Sequence, residues 1–287
     1  MQRYLLLLFP LFLCATEIQL GSFTRNEQLQ WSIASSDYQP NILSELTWEN
    51  VRFQGLSLKL VHYFQGWHVS FSGAEATALY GDVRDSDYLG SNRTNESFRS
   101  LSSAKGSRFK EYLAEIAYPL PAGSHSIIPF LQVSKTDEEL YLRDGWLSIP
   151  YAQAIANLDS RYNPSYYGLK AGLRGQLELF RDTRLMVSVS RSFINYEATA
   201  TWNLRTDLAQ PTSFEHDSSG NGWQAEVAAI TLPFKAIEIS LRGVWEEFEI
   251  TGGNHLTYYA DGTQTTQPIH EITSETQTLF FEVSYRF

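Results

Sequence analysis

The last nine residues of the sequence constrain its fold more than any other segment does. Successive residues of a β-strand point to opposite faces, so residues 279–287 would form a strand with one apolar face and one largely polar face. The apolar face would carry Leu279, Phe281, Val283, Tyr285 and Phe287. One alternative is an edge strand of a soluble β-sandwich, but such edges are usually blunted by charge or proline. Five large apolar side chains on one face instead predict a strand that contacts lipid.

The first fifteen residues have the pattern of a secretory signal peptide. Arg3 provides a positive region, residues 4–14 are apolar, and the small residue Ala15 precedes the predicted cleavage point. The apolar run is too short to span a bilayer as a helix. We therefore predict that residues 1–15 are removed and that residues 16–287 form a single domain.

Charge and cysteine content disfavour several classes of function. Without Arg3 the chain has 32 Asp and Glu residues against 21 Lys and Arg (22 minus 1), a formal net charge of −11. That sign argues against nucleic acid as a partner. The single cysteine, Cys14, lies in the predicted signal peptide, so the mature chain would have no disulfide, thiol nucleophile or thiolate metal site. No cofactor and no metal site are predicted.

Segments with a two-residue alternation are joined in turn by short and long connections. Short turns are predicted near residues 65–66, 119–124, 181–183 and 232–235, and long polar loops over residues 81–107, 141–165, 204–221 and 251–273. This pattern predicts an all-β fold, a transmembrane antiparallel β-barrel of about ten strands. Short periplasmic turns, long extracellular loops and an even strand number are typical of bacterial outer-membrane barrels, so both termini are expected in the periplasm.

A barrel of ten strands would have a narrow interior. Eight strands give a lumen that side chains just fill, whereas sixteen or more leave an aqueous channel. The residues predicted to face inward carry both signs of charge: Ser57, Lys59, Glu115, Lys170, Arg174, Glu226, Glu282 and Arg286. Such a set predicts an ion-paired interior, which either only packs the lumen or lines a conducting path or a binding groove.

Two short motifs resemble the omptins, a family of ten-stranded outer-membrane endoproteases. The stretch LSELTW at residues 43–48 is similar to part of the omptin second strand, and DSDY at residues 85–88 is similar to the omptin Asp-x-Asp-Trp motif. The resemblance implies that Asp85 and Asp87 form half of a catalytic site. In omptins an Asp-x-His pair across the groove completes the site, and its imidazole takes a proton from the attacking water.

The second half of that site departs from the omptin pattern. The corresponding end of the seventh strand, residues 198–203, reads ATATWN and contains neither His nor Asp. His216 and Asp217 follow in the third long connection and are the candidates for the missing pair. Asp85 and Asp87 could instead bind a cation or simply solvate a loop.

A second resemblance points away from proteolysis. The stretches NILSELTW at residues 41–48, DSDY at 85–88 and WNLR at 202–205 resemble a family of omptin-shaped outer-membrane proteins. That family includes porin-like proteins of environmental chlamydiae. The resemblance implies passive permeation or a surface role.

The leading hypothesis is a non-enzymatic integral outer-membrane protein, porin-like, with a narrow channel or a surface role. The alternatives are an omptin-like endoprotease and an adhesin or ligand-binding barrel that acts through its long loops. Expected partners are outer-membrane lipid and the barrel assembly machinery. Contact with lipopolysaccharide is compatible with any such barrel, although no basic cluster singles it out. The apolar face of the last strand resembles the assembly signal of outer-membrane barrels.

Removal of Phe287 should reduce the amount of protein assembled in the outer membrane, because the deletion truncates this apolar, aromatic-ended strand. Surface labelling of intact cells, compared with total protein, measures the effect. Unchanged surface levels would contradict the assembly-signal interpretation.

Overall fold

The computed structural model describes residues 16–123, 125–180 and 182–287. The predicted signal peptide therefore lies outside the described residues. Within the described ranges the regular elements are thirteen β-strands. No helix in these ranges is long and apolar enough to cross a membrane. The strands are β1 (Glu17–Ile33), β2 (Ser44–Phe64), β3 (Trp67–Gly90), β4 (Thr94–Ser103), β5 (Arg108–Ala117), β6 (Leu120–Ala122), β7 (His125–Ile149), β8 (Gln153–Phe180), β9 (Thr183–Thr201), β10 (Phe214–Phe234), β11 (Ile237–Thr251), β12 (Asn254–Tyr258) and β13 (Gln264–Arg286).

The thirteen strands make one antiparallel ring with ten positions around it, which we call staves. Strands β4, β5 and β6 follow one another along the fourth stave, and β11 and β12 share the ninth. The ring closes because β13 pairs with β1, from Glu17 opposite Arg286 to Ile33 opposite Ile269. The predicted all-β barrel of about ten antiparallel strands is therefore confirmed.

The two ends of the barrel differ in their connections. Glu17 and Arg286 lie at one end, which we call the termini end, and the opposite end is the loop end. Short turns at the termini end join β2 to β3, β8 to β9 and β10 to β11. At the first of these, Gln65 and Gly66 have φ angles of 49° and 86°. Two successive positive φ angles are the geometry of a tight type I′ hairpin turn.

An apolar band surrounds the outside of the barrel near the termini end. On β13, Leu279, Phe281, Val283 and Tyr285 are between 40% and 54% exposed, and they point away from the lumen. Exposed aromatic rings lie at both margins of the band. Those on the side of the loop end are Tyr112, Tyr167, Trp223 and Trp245, and those at the termini end are Phe64, Trp67, Phe180 and Phe234. A band with aromatic margins is what a lipid bilayer requires of a barrel surface.

Three of the four predicted long loops are mostly strand, so their assignment as loops was wrong; the third, residues 204–221, is strand only from Phe214. Strand β3 continues to Gly90, β7 continues to Ile149, and β8 already begins at Gln153. The fourth predicted loop contains all of β12 and the first part of β13, up to residue 273. The outward side chains of these extensions are largely polar because they lie beyond the apolar band, and that polarity was mistaken for loop composition.

The hydrophobic core lies inside the barrel, in the half next to the loop end. Trp31 on β1 and Tyr162 on β8 have ring centroids 6.1 Å apart, although these strands are the first and sixth of ten staves. Rings from opposite walls therefore meet across the lumen. We call the buried aromatic side chains of this region the plug. It comprises Phe23, Trp31, Trp48, Phe53, Phe109, Tyr162, Tyr196, Phe214 and Phe248.

A charge placed in the middle of the apolar band should destabilise the barrel. Phe281 lies midway along β13 between Gln277, which is opposite Trp245, and Tyr285 near the rim. We expect Phe281→Arg to lower the free energy of unfolding by about 2–4 kcal/mol, because the guanidinium would sit near the bilayer midplane. Urea unfolding from lipid vesicles measures this change.

Thr251→Arg is the matched control, because Thr251 is exposed on β11 beyond the apolar band. It should change the unfolding free energy by less than about 1 kcal/mol. Equal effects of the two substitutions would contradict the placement of the membrane.

Candidate functional site

A polar cavity of about 590 Å³ occupies the lumen in the half next to the termini end. It extends from Glu17 and Arg286 at the rim to Phe23 and Phe109, on the surface of the plug that faces the termini end. All eight residues predicted to face inward line it: Ser57, Lys59, Glu115, Lys170, Arg174, Glu226, Glu282 and Arg286. The prediction of a polar lumen with both signs of charge is therefore confirmed.

Most of the charges around the cavity are held in ion pairs between staves. Arg174 on β8 donates two hydrogen bonds to Glu115 on β5, with N–O distances of 3.1 and 2.9 Å. Lys170 lies 2.6 Å from Glu246, and Arg242 donates to Glu282 at 2.7 Å. A charge removed from water is strongly destabilising unless it is paired, so these contacts allow a charged lumen inside a lipid-facing wall.

Several lumenal residues were missed by the sequence analysis. Glu17, Glu238, Arg242 and Glu246 line the cavity and belong to the ion pairs. A signal was present for β11, where Glu238, Ser240 and Arg242 alternate with apolar or small residues. Extending the two-residue alternation along the whole of β11 would have found Glu238, Arg242 and Glu246.

The plug closes the cavity on the side of the loop end. Trp48 on β2 stacks on Tyr162 with centroids 5.2 Å apart, and both side chains are fully buried. The indole N–H groups of Trp31 and Trp48 have no hydrogen-bond partner among the described residues. Ring packing therefore holds these two indoles, and all the plug rings come from strands of the barrel wall.

Asp85 and Asp87 lie on β3 beyond the apolar band, on the face that also carries buried Val83. Burial raises the pKa of the Asp85 carboxyl to about 8; the Asp87 carboxylate adds to the rise and the Arg205 guanidinium opposes it. Burial also raises the pKa of Asp87, against a hydrogen bond from Ser44. The two aspartates therefore form a partly protonated pair at neutral pH.

His216 lies inside the barrel among the plug residues. Its Nδ1 is joined by a 2.8 Å hydrogen bond to the hydroxyl of Tyr162, and its Nε2 by a 2.7 Å bond to Nδ1 of His255. The chain continues from Tyr162 to the hydroxyl of Tyr196 and from His255 to Thr257. Burial and the neighbouring His255 hold the pKa of His216 well below its usual range.

The structure does not bring His216 and Asp217 together. His216 is 2% exposed and points inward, whereas Asp217 is exposed on the outer wall, where it lies opposite Glu197 on β9. Among the described residues no hydrogen bond joins His216 to a carboxylate, and both ring nitrogens already have neutral partners. A general-base histidine needs a free nitrogen near water and an orienting partner, so this geometry does not provide one at His216.

The proposed assembly residues lie on the outer wall at the termini end. Leu279, Phe281, Val283, Tyr285 and Phe287 are all at least 40% exposed. The backbone N–H of Phe287 donates to the carbonyl of Thr16 at 3.0 Å, so the final residue is tied to the beginning of the ring.

Comparison with known proteins supports the same architecture. The family model described as Pom, Protochlamydia outer membrane protein, matches residues 19–286. No curated protein matches this chain.

Two solved structures can be compared with the barrel. The outer membrane protease OmpT from Escherichia coli has a TM-score of 0.73 at 13% sequence identity, over 94% of this chain and 96% of that chain. The translocator domain of the autotransporter NalP from Neisseria meningitidis has a TM-score of 0.42 at 9% identity, over 100% of this chain and 94% of that chain. The first similarity shows the omptin-like fold and no more, because its sequence identity is low.

The family match covers nearly the whole barrel, including the polar lumen, the plug and the pair of aspartates. The chain therefore belongs to the Protochlamydia outer membrane protein family and is an integral outer-membrane β-barrel with an omptin-like fold.

Proposed function

We propose that the protein is a narrow, non-enzymatic, porin-like channel for small hydrophilic solutes. The observation that carries the proposal is the charge-lined cavity of about 590 Å³ inside the apolar band. A barrel that served only as a surface scaffold would gain no stability from many buried charges there, because replacing buried ion pairs with apolar residues is often neutral or stabilising.

The plug would set the size of the passage. It fills the loop half with rings that meet across the lumen, so solutes cross only when these side chains move. Neither indole N–H of Trp31 and Trp48 has a hydrogen-bond partner in the described part of the chain, and the lack of a directional bond there supports such motion. The expected channel therefore has a low conductance and is intermittently closed.

The proposal includes an orientation and a route to the membrane. We propose that residues 1–15 direct secretion and that both termini lie in the periplasm, which agrees with the short turns at the termini end. The apolar residues of β13 would be recognised by the barrel assembly machinery. Lipopolysaccharide would contact the margin of the band on the side of the loop end. There the Arg191 guanidinium lies 4.6 Å from the centre of the Trp223 ring.

Single-channel recording in planar bilayers tests the proposal. The refolded protein should give small, brief conductance steps in KCl. Trp31→Ala/Trp48→Ala should raise the conductance severalfold, because it removes two plug rings without leaving a hydrogen-bond partner unpaired. Heat-modifiable migration on gels would verify that each variant is folded.

Trp245→Ala is the matched control, because this ring lies on the outer wall. It should leave the conductance unchanged. If the folded protein and the folded double variant both fail to conduct, the channel proposal is wrong.

An omptin-like protease is the second candidate, and the pair formed by Asp85 and Asp87 favours it. Two interacting carboxyls with raised pKa values at the loop end have the character of an acid–base site. Since the structure provides no imidazole for the pair at His216, a carboxylate itself would have to act on the water. In the observed arrangement His216 and Asp217 would take no part in this reaction.

For this candidate we expect cleavage of Lys- and Arg-rich peptides that rises with pH up to about 8, the pKa of Asp85. The sign follows from the raised pKa: Asp85 is protonated below that pH, and only its carboxylate accepts a proton. Mass spectrometry of a peptide library, incubated from pH 5 to pH 9, provides the measurement. Asp85→Asn/Asp87→Asn should abolish cleavage and Asp217→Asn should not. No cleavage by the folded protein at any pH excludes this role.

A further inference from the structure

Two opposite charges in the lumenal cavity have no salt-bridge partner within 4.0 Å among the described residues. Among the Lys and Arg residues that line it, every one except Lys59 lies within 4.0 Å of a carboxylate. Among the lining carboxylates, every one except Glu111 has a cation within the same distance. Neither residue makes a side-chain hydrogen bond to another described residue. Among the described lining residues, the charged groups without a direct contact are therefore one ammonium group and one carboxylate. Lys59 acts only at longer range on the Glu115 and Glu282 carboxylates.

The register places both groups on one wall of the cavity. Lys59 on β2 lies opposite Ser72 on β3, and Ser72 lies opposite Leu113 on β5. Glu111 is two residues from Leu113 towards the loop end. With strands about 4.8 Å apart and a rise of about 3.3 Å per residue, the Cα atoms of Lys59 and Glu111 are roughly 12 Å apart. Both side chains extend from this wall into the cavity.

Unpaired charges in a largely protein-enclosed space are stabilised by a ligand that supplies the complementary charges. A solute with a single charge would satisfy only one of the two residues, and a solute with a net charge would upset the balance of seven cations and seven anions around the cavity. That balance comprises Arg25, Lys59, Lys170, Arg174, Arg184, Arg242 and Arg286 against Glu17, Glu111, Glu115, Glu226, Glu238, Glu246 and Glu282.

We propose that the cavity is a binding site for zwitterionic short peptides, with the peptide carboxylate on Lys59 and the peptide ammonium on Glu111. The proposal rests on the channel function and names its substrate class. An extended dipeptide spans about 7 Å between its termini, so two flexible side chains whose Cα atoms are roughly 12 Å apart can reach both ends. The cavity of about 590 Å³ has room for such a molecule with water around it.

Current block by glycylglycine tests the site. Added on the termini side in KCl, glycylglycine should reduce the open-channel current in a concentration-dependent manner. N-acetyl-glycylglycine, which lacks the ammonium, and glycylglycine amide, which lacks the carboxylate, should each block about tenfold less strongly, because each loses one charge-assisted contact.

Variants assign the two contacts. Lys59→Gln and Glu111→Gln should each weaken block by glycylglycine about tenfold. Lys59→Gln should abolish only the preference for glycylglycine over glycylglycine amide. Glu111→Gln should abolish only the preference for glycylglycine over N-acetyl-glycylglycine. Lys110→Gln and Glu75→Gln are matched controls, since these residues form a 3.1 Å ion pair exposed on the outer wall. They should leave the block unchanged.

Isothermal titration of glycylglycine into the refolded barrel separates the site from the channel, because it needs no current. Conductance without block, together with no calorimetric binding, would overturn the zwitterion site and leave the channel intact. If current is absent, calorimetry still decides: binding lost in Lys59→Gln and Glu111→Gln supports the site, and equal binding by all variants, or none, overturns it.

Discussion

The rest of this structure depends on one constraint, the absence of water in the bilayer core. Every backbone N–H and C=O there must find a partner within the protein, and a β-sheet can meet that demand only by closing on itself. The closure here is the pairing of β1 with β13, which extends over the full length of β1. Once the ring is closed, the two-residue alternation sends one set of side chains to lipid and the other to the lumen.

Ten staves place the lumen between a filled barrel and an open pore. In the termini half, charged side chains form ion pairs around a cavity, as Arg174 and Glu115 do. In the loop half, rings such as Trp31 and Tyr162 are large enough to meet from opposite staves and make a core like that of a soluble protein. This core explains why the strands extend so far beyond the apolar band: outside lipid, apolar packing inside the ring can stabilise them.

The sequence was informative where a local pattern decides the outcome. Alternation alone identified the outward face of β13 and lumenal residues such as Lys170, because facing depends only on residue parity within a strand. Alternation failed beyond the lipid, where water surrounds the strands and their outward residues are polar. The polar outward residues of β8 between Gln153 and residue 165 therefore resemble a loop. The contact between His216 and His255 could not be predicted, because it depends on the pairing of β10 with β12 across 39 residues.

The lumen is therefore expected to be wet, accessible from the termini end and closed by the plug. Since the chain without residues 1–15 has no cysteine, single cysteines can report on it. Ser188 lines the cavity and the adjacent Val187 faces outward, so Ser188→Cys and Val187→Cys form a matched pair. With a small charged thiol reagent on protein in vesicles, only Ser188→Cys should react, and much faster from the termini side. Labelling of Val187→Cys but not Ser188→Cys would contradict this facing of β9, and equal rates for Ser188→Cys from both sides would contradict closure by the plug.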